Sequence, residues 1–228
     1  MDTHAVSVEY MRVNNLFNLG FTIAWEHIAK LDWPWEAIPQ INSYIGVLIN
    51  ELDKNEYDER PDNVWIHKTA IVAPTSYIGT NVIIGEGTEV RHCAFIRKDV
   101  IIGCNAVIGN STELKNVILF DRVQVPHYNY VGDSILGYRS HFGAGVITSN
   151  VKSDSTLVSV ICGSERIETG LKKFGAIIGD HVEVGCNSVL NPGTVIGAKT
   201  NVYPLSSVRG FVPANCIYKK QNEITEKR

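Results

Sequence analysis

The chain is expected to be mainly β, a solenoid of short parallel strands joined by turns, with a helical segment in front of it. Three observations carry this expectation. From Ile66 onward an aliphatic residue recurs every six positions, glycine repeatedly follows it, and the first 56 residues lack that period and show helical spacing instead. A period of two marks a half-buried strand and a period near 3.6 marks a helix. A period of six therefore marks very short strands, wound coil upon coil, with one side chain per strand turned inward.

Within residues 1–56, Pro34 stands near the start of WPWEAIPQINSYIGVLINEL, where its missing N–H breaks no helical bond. Ile41, Tyr44, Ile45, Leu48 and Leu52 then follow at helical intervals, so a helix is expected there. The solenoid is expected over 57–213. Its inward positions begin as Ile66, Val72, Ile78, Ile84, Val90, Ile96, Ile102, Ile108 and Leu114, with small or β-branched residues such as Val64, Ala70 and Ser76 two positions earlier. Gly79, Gly85, Gly103 and Gly109 directly follow inward residues, where the backbone must turn. The register slips by one to Leu119, Val125 and Val131, slips again to Leu136 and Phe142, and returns as Ile178, Val184, Leu190, Ile196, Val202 and Val208. Between these, residues 151–173 read as an inserted loop or strand pair, and such insertions on repeat proteins are common places for binding groups. Residues 214–228 read as a tail.

A length of 228 residues at 44% hydrophobic composition supports one substantial core and a smaller appendage. The formal charge of -3 gives no general reason to expect nucleic acid or an anionic membrane as partner. Five scattered cysteines without a CxxC pair suggest neither a disulfide framework nor a zinc knuckle, and a reducing cytoplasm fits them. The start, MDTHAVSVEYMRVNN, lacks the basic and apolar regions of a signal peptide, and no run approaches the roughly 18 apolar residues of a spanning helix. Neither secretion nor membrane insertion is expected. The seven histidines, His4 among them, contain no close His-x4-His pair, so no catalytic metal is expected.

The six-residue period is the hexapeptide-repeat signature and resembles the left-handed parallel β-helix family, in which three hexapeptides make one triangular coil. The left hand is implied by that resemblance and runs against the usual rule for parallel crossovers. With eighteen residues per coil, Arg97 and Lys115 stack on one face at about 4.8 Å. Two stacked cations repel without an anion between them, which suits a phosphate or carboxylate ligand. The alternative is that both reach solvent or pair with Glu113 or Asp99. His127 follows Pro126 in the polar, aromatic cluster HYNY. Histidine as a residue type accepts protons near neutral pH, which suits activation of an amine or hydroxyl, although a structural role is the commoner one.

The string LKNVILFDRVQVPHYNYVGDSILGYRSHFGAGVITSN resembles the acetyltransferase domain of the N-acetylglucosamine-1-phosphate uridyltransferase family. ERIETGLKKFGAIIGDHVEVGCNSVLNPGTVIG, and PWEAI at 34–38, are similar to the archaeal-type bifunctional sugar-1-phosphate nucleotidylyltransferase/acetyltransferases. The resemblance spans roughly residues 34–213. It implies acetyl transfer from acetyl-CoA to the amine of a hexosamine 1-phosphate, a step toward UDP-N-acetylglucosamine. It implies His127 as general base, Arg97 and Lys115 on the sugar phosphate, Tyr130 and Asn150 on the sugar, Glu113 in support, and Ala144, Lys173 and Cys186 near the CoA arm. Family members are trimers with sites between adjacent prisms, so a homotrimer is implied as well.

The chain departs from that pattern in four places. The first 56 residues are too short for a nucleotidylyltransferase domain and lack its Gly-rich loop; Thr156 and Ser159 stand where relatives supply lysines; His141 replaces an Asn; and Cys186 replaces a Ser. Two further readings stay open: a non-catalytic sugar-phosphate or sugar-nucleotide binding subunit working with a separate nucleotidylyltransferase, and an acyltransferase with another amine acceptor.

Overall fold

The structure, a computed structural model, describes residues 7–221 and 223–227; His4 lies outside the described residues. It is a left-handed parallel β-helix with three faces. One sheet of 12 strands bends around a corner to form two of them, and a 9-stranded sheet forms the other. The first face carries Val64–His67, the second halves of the long strands Tyr77–Ile84, Phe95–Ile102, Glu113–Leu119 and Tyr130–Leu136, and then Ala176–Ile178 and Thr194–Ile196. On the second lie Val107–Asn110, Gln124–His127, His141–Phe142, Glu183–Val184 and Asn201–Val202. The third carries the first halves of the long strands, then Ile147–Thr148, Val189–Leu190 and Ser207–Val208.

The inward column is the six-residue repeat. Ile84, Ile96, Ile102, Ile108, Leu114, Leu119, Val125, Val131, Leu136, Phe142, Ile178, Leu190 and Ile196 are all fully buried. Both slips of register are coils shortened by one residue, the first visible where Ile96 pairs with Leu114 but Val100 pairs with Val117, the second where Tyr130 pairs with Ile147. The solenoid also runs past residue 213, because Cys216–Lys220 pairs in parallel with Asn201–Val202 and Glu223–Glu226 folds back antiparallel across it.

On the first face the outward residues are buried too. Ile83, Ile101, Ile118 and Ile135 have no exposed surface, since the N-terminal segment covers them. Strands covered on both sides read as unbroken apolar runs, here VII, VII and VIL. Each such isoleucine contributes about 1.5–3 kcal/mol relative to exposure. The covering segment is less helical than its spacing suggests. Pro34–Gln40 is a 3-10 helix and the α-helix is confined to Ile41–Leu48, with Leu52 beyond its end. Pro39 is the physical reason, since it removes an N–H and its ring crowds the carbonyl four residues back.

Residues 151–173 leave the third face and form an antiparallel hairpin, Ser159–Cys162 with Glu165–Glu168. The hairpin lies close against two coils: a Cβ on Gly193 or Gly210 would stand 2.6 Å from the carbonyl oxygen of Ser159 or Ile161. No helix among the described residues is long and apolar enough to cross a membrane.

Candidate active site

The corner between the third and first faces is built from short polar residues in the left-handed backbone region. Asn81, Asp99, Asn116 and Asp133 have φ of 62°, 55°, 53° and 48°, which Asn and Asp tolerate better than other non-glycine residues. Their side chains connect successive coils. Asn81 Nδ2 donates to Asp99 Oδ1 at 2.9 Å, and Asn116 Nδ2 donates to Asp133 Oδ1 at 2.9 Å and to the Ile38 carbonyl at 3.2 Å. Asn150 Nδ2 donates to Asp133 Oδ2, and Lys115 Nζ lies 3.3 Å from the same oxygen. Asp133 is 3% exposed, so a buried carboxylate is held by one cation and two amides. Nothing in the reading of the sequence singled out Asp133 or Asn116. The signal available was an Asn or Asp at the same corner of consecutive coils.

Outward on the third face, Tyr77, Phe95, Glu113, Tyr130 and Ile147 stand in register on successive strands. Arg97 and Lys115 follow two residues on in adjacent strands, so they do occupy adjacent rungs. They are not a bare pair of cations. Arg97 Nη1 meets Glu113 Oε1 at 3.0 Å, while Lys115 turns to Asp133. The Tyr130 hydroxyl accepts from Asn150 Nδ2 at 3.2 Å, which brings the two sugar positions into contact. Burial pushes the Tyr130 phenol above its ordinary pKa, and the charges of Asp133 and Glu113 push it further. It is therefore a neutral hydroxyl, able to donate, across the physiological range.

The corner between the second and third faces carries His127, Ala144 and Cys186. Each precedes a residue with positive φ, Tyr128, Gly145 and Asn187. The backbone ladder joins them directly: Gly145 N–H donates to the His127 carbonyl at 3.0 Å, Asn187 N–H to Ala144 at 2.8 Å, and Leu205 N–H to Cys186 at 2.9 Å. These three residues thus form one edge, rung by rung at about 4.8 Å. His127 is held through its backbone, whose N–H donates to Asn129 Oδ1 at 3.1 Å. Asn129 is 2% exposed and donates in turn to the Gly143 carbonyl at 2.9 Å. That leaves the exposed imidazole with no hydrogen-bond partner among the described residues. Asn129 is a second positioning residue that sequence reasoning passed over, although it lies in the HYNY cluster.

One expected position, Lys173, falls elsewhere, and His141, noted as a departure from the family pattern, lies on the second face. Lys173 is exposed at the end of the insertion, where Phe174 N–H returns to the Asn150 carbonyl at 2.9 Å, so it adjoins the first corner described and not the Ala144–Cys186 edge. His141 is in register with Gln124, three residues before His127, and its Nδ1 lies 2.8 Å from Glu183 on the second face. Among the described residues no three His, Cys, Asp or Glu side chains gather as metal ligands would.

Residues 88–212 match the family described as the GMPPB C-terminal domain, and residues 61–92 match the bacterial transferase hexapeptide (six repeats). A bifunctional sugar-1-phosphate nucleotidylyltransferase/acetyltransferase of Sulfurisphaera tokodaii is 33% identical over 79% of this chain and 45% of its own length. The bifunctional protein GlmU of Methanococcus maripaludis strain C5 is 32% identical over 96% of this chain and 53% of its own. That of Methanocaldococcus jannaschii is 31% identical over 88% and 48%. The chain spans about half the length of the curated relatives it matches.

Proposed function

The chain belongs to the GMPPB C-terminal domain family of hexapeptide-repeat proteins, and from that premise we propose that it is an acetyl-CoA-dependent N-acetyltransferase whose acceptor is glucosamine 1-phosphate or a related amino-sugar phosphate. The observation that carries the proposal is the third face itself. An unencumbered imidazole at one edge and a buried-carboxylate network at the other bracket Arg97, Glu113 and Tyr130. The name of the Sulfurisphaera tokodaii relative, a sugar-1-phosphate nucleotidylyltransferase/acetyltransferase, supports a sugar phosphate and an acetyl group; the amino sugar itself rests on the resemblance of the motifs.

In this reading His127 takes a proton from the sugar ammonium's conjugate amine as its nitrogen attacks the thioester carbonyl carbon. The C–N bond forms, the carbonyl electrons move to oxygen, and their return expels the CoA thiolate, which the imidazolium protonates. Corner N–H groups are suited to the transient oxyanion. Arg97 and Lys115 orient the phosphate, with Glu113 and Asp133 fixing their side chains. Tyr130 and Asn150 bind sugar hydroxyls. Ala144 and Cys186 line the CoA arm, and a small side chain followed by a thiol leaves that edge open. The His127 edge is a convex corner and the third face beside it is flat, so a pocket around the transfer site calls for a second wall, and a homotrimer supplies it.

The binding-subunit reading draws on one observation: both cations are already neutralised by carboxylates of the chain. Thiol release from acetyl-CoA separates the two. Turnover that requires glucosamine 1-phosphate and falls ~100-fold in His127→Ala, the scale of a lost general base, supports the acetyltransferase. A folded trimer that binds the sugar phosphate without releasing thiol overturns it.

A further inference from the structure

Around the corner from the candidate site, the second face holds a concavity of about 790 Å³ that Arg97, Lys115, His127 and Tyr130 do not line. One of its walls is the corner between the first and second faces. There Arg122, Arg139, His181 and Lys199 occupy the same position on four consecutive coils. Their N–H groups donate to Cys104, Asp121, Tyr138 and Asp180 carbonyls at 2.7, 3.1, 2.8 and 2.7 Å, which fixes the ladder at about 4.8 Å per rung.

Two features make this column unlike an ordinary solvated edge. All four residues have left-handed backbone, φ 55–60°, a region that Gly, Asn and Asp fill at least cost. Asn105 and Asn215 follow that rule at the two ends of the column, whereas the four rungs between them carry long basic or imidazole side chains. Second, among the described residues Arg122, Arg139 and Lys199 make no ion pair, in a chain whose net charge is -3. The neighbouring carboxylates have other hydrogen-bond partners: Asp121 accepts the Cys104 N–H and Asp180 the N–H groups of Asn18 and Tyr138, each feeling the nearby Arg122 or His181 charge without an ion pair, and Glu183, on the floor of the concavity, pairs with His141. Lys227 adds a further cation, its Nζ bonded to the Lys199 carbonyl and to Asn201 Oδ1.

We propose that this ladder is a second anion site, separate from the transfer site, and that it takes a linear oligophosphate. Guanidinium forks one rung apart match phosphate oxygens repeated along a chain, each accepting paired N–H donors. The cavity wall is polar, and its rings are the imidazoles of His141, held by Glu183, and His181, edge-on to Tyr138 at 5.3 Å, while Tyr138 is itself stacked on Phe21 at 3.7 Å, so recognition falls on the phosphates and not on a base. The chemistry is shared by inorganic oligophosphate and by the tail of a nucleoside triphosphate.

Titration calorimetry with inorganic triphosphate and, separately, ATP tests it on the full chain, with Arg122→Gln/Arg139→Gln beside the wild type. Triphosphate is expected to bind one per chain and to weaken at least ~10-fold in the double variant, with a binding constant that falls steeply with salt. Equal binding of both probes assigns the site to phosphates alone, and tighter ATP adds a contact to the nucleoside; either supports the proposal. Should the double variant unfold, Lys199→Gln gives the same test at the far end of the ladder. Unchanged triphosphate binding in a folded variant overturns the proposal. So does displacement of triphosphate by CoA, which would return the ladder to the transfer site, or its displacement by a polyglutamate peptide at lower concentration, which would make it a protein-docking surface.

Discussion

Lys115 Nζ stands 3.3 Å from a carboxylate oxygen of Asp133, one coil further along, and Asp133 is 3% exposed. The pair shares its carboxylate with Asn116 and Asn150, so one buried group ties three consecutive coils at the corner where the insertion departs. Asp133→Ala leaves a largely buried ammonium and two amides without an acceptor, and places alanine at φ 48°. Breaking one side of a buried pair costs about 3–5 kcal/mol. For a chain of this size that is a fall in melting temperature of roughly 6–20 °C. Asp133→Asn keeps the shape and the left-handed preference and is expected to lose less. Thermal unfolding that ranks the two variants equally, or leaves Asp133→Ala at the wild-type midpoint, refutes the account.

How much of this was legible in the sequence depends on which side chains repeat. The inward aliphatic residues recur every six positions, so the prism could be read from Ile66 to Val208 before any coordinates. Arg97 and Lys115 could be placed on adjacent rungs for the same reason. Glu113 stood among their possible partners and does pair with Arg97, but Asp133, eighteen residues beyond Lys115, did not, because that pairing crosses a coil and does not follow from local spacing. The alignment of His127, Ala144 and Cys186 along one edge was hidden too, because one shortened coil and an inserted hairpin make the intervals 17 and 42. The N-terminal helix was overextended because Pro39 counts against helix only once its position inside the turn is known.

If Ala144 and Cys186 line the CoA arm, bulk added at the exposed Cys186 thiol blocks that edge. Cys93 is exposed as well, so the clean comparison starts from Cys93→Ser. Carbamidomethylation of that variant is expected to raise KM for acetyl-CoA on the order of 10-fold, about 1.4 kcal/mol of binding, with KM for the sugar phosphate unchanged. Cys93→Ser/Cys186→Ser should be indifferent to the reagent. A rise in both KM values, or none, removes Cys186 from the CoA edge.

Trp35 couples the N-terminal segment to the insertion. It is 1% exposed and its ring centroid lies 5.9 Å from that of Phe174, the residue whose N–H returns the chain to Asn150. Trp35→Ala removes a large buried side chain, at about 3–5 kcal/mol. Hydrogen exchange should then rise in 34–48 and also in 151–174, leaving the second face protected. Faster exchange confined to the N-terminal segment would show that the two segments are not coupled through this contact.

Asp121 offers a test with a defined sign. Burial pushes its carboxyl above the ordinary value, opposed by the Cys104 N–H that its Oδ1 accepts at 2.7 Å and by the charge of Arg122. A folded pKa above the unfolded one, near 3.9, means that folding favours the protonated form. That preference is fully present below the unfolded value and is lost as pH rises through the folded one, so ionised Asp121 is a cost at neutral pH. Asp121→Asn retains the Oδ1 acceptor and cannot ionise. Its stability relative to wild type should therefore be higher at pH 7, and the difference should shrink toward zero as pH falls below about 3.9. Chemical denaturation at several pH values reads this directly. A difference that stays constant with pH would assign the effect to packing, and wild type more stable at pH 7 would mean that the Arg122 charge outweighs burial.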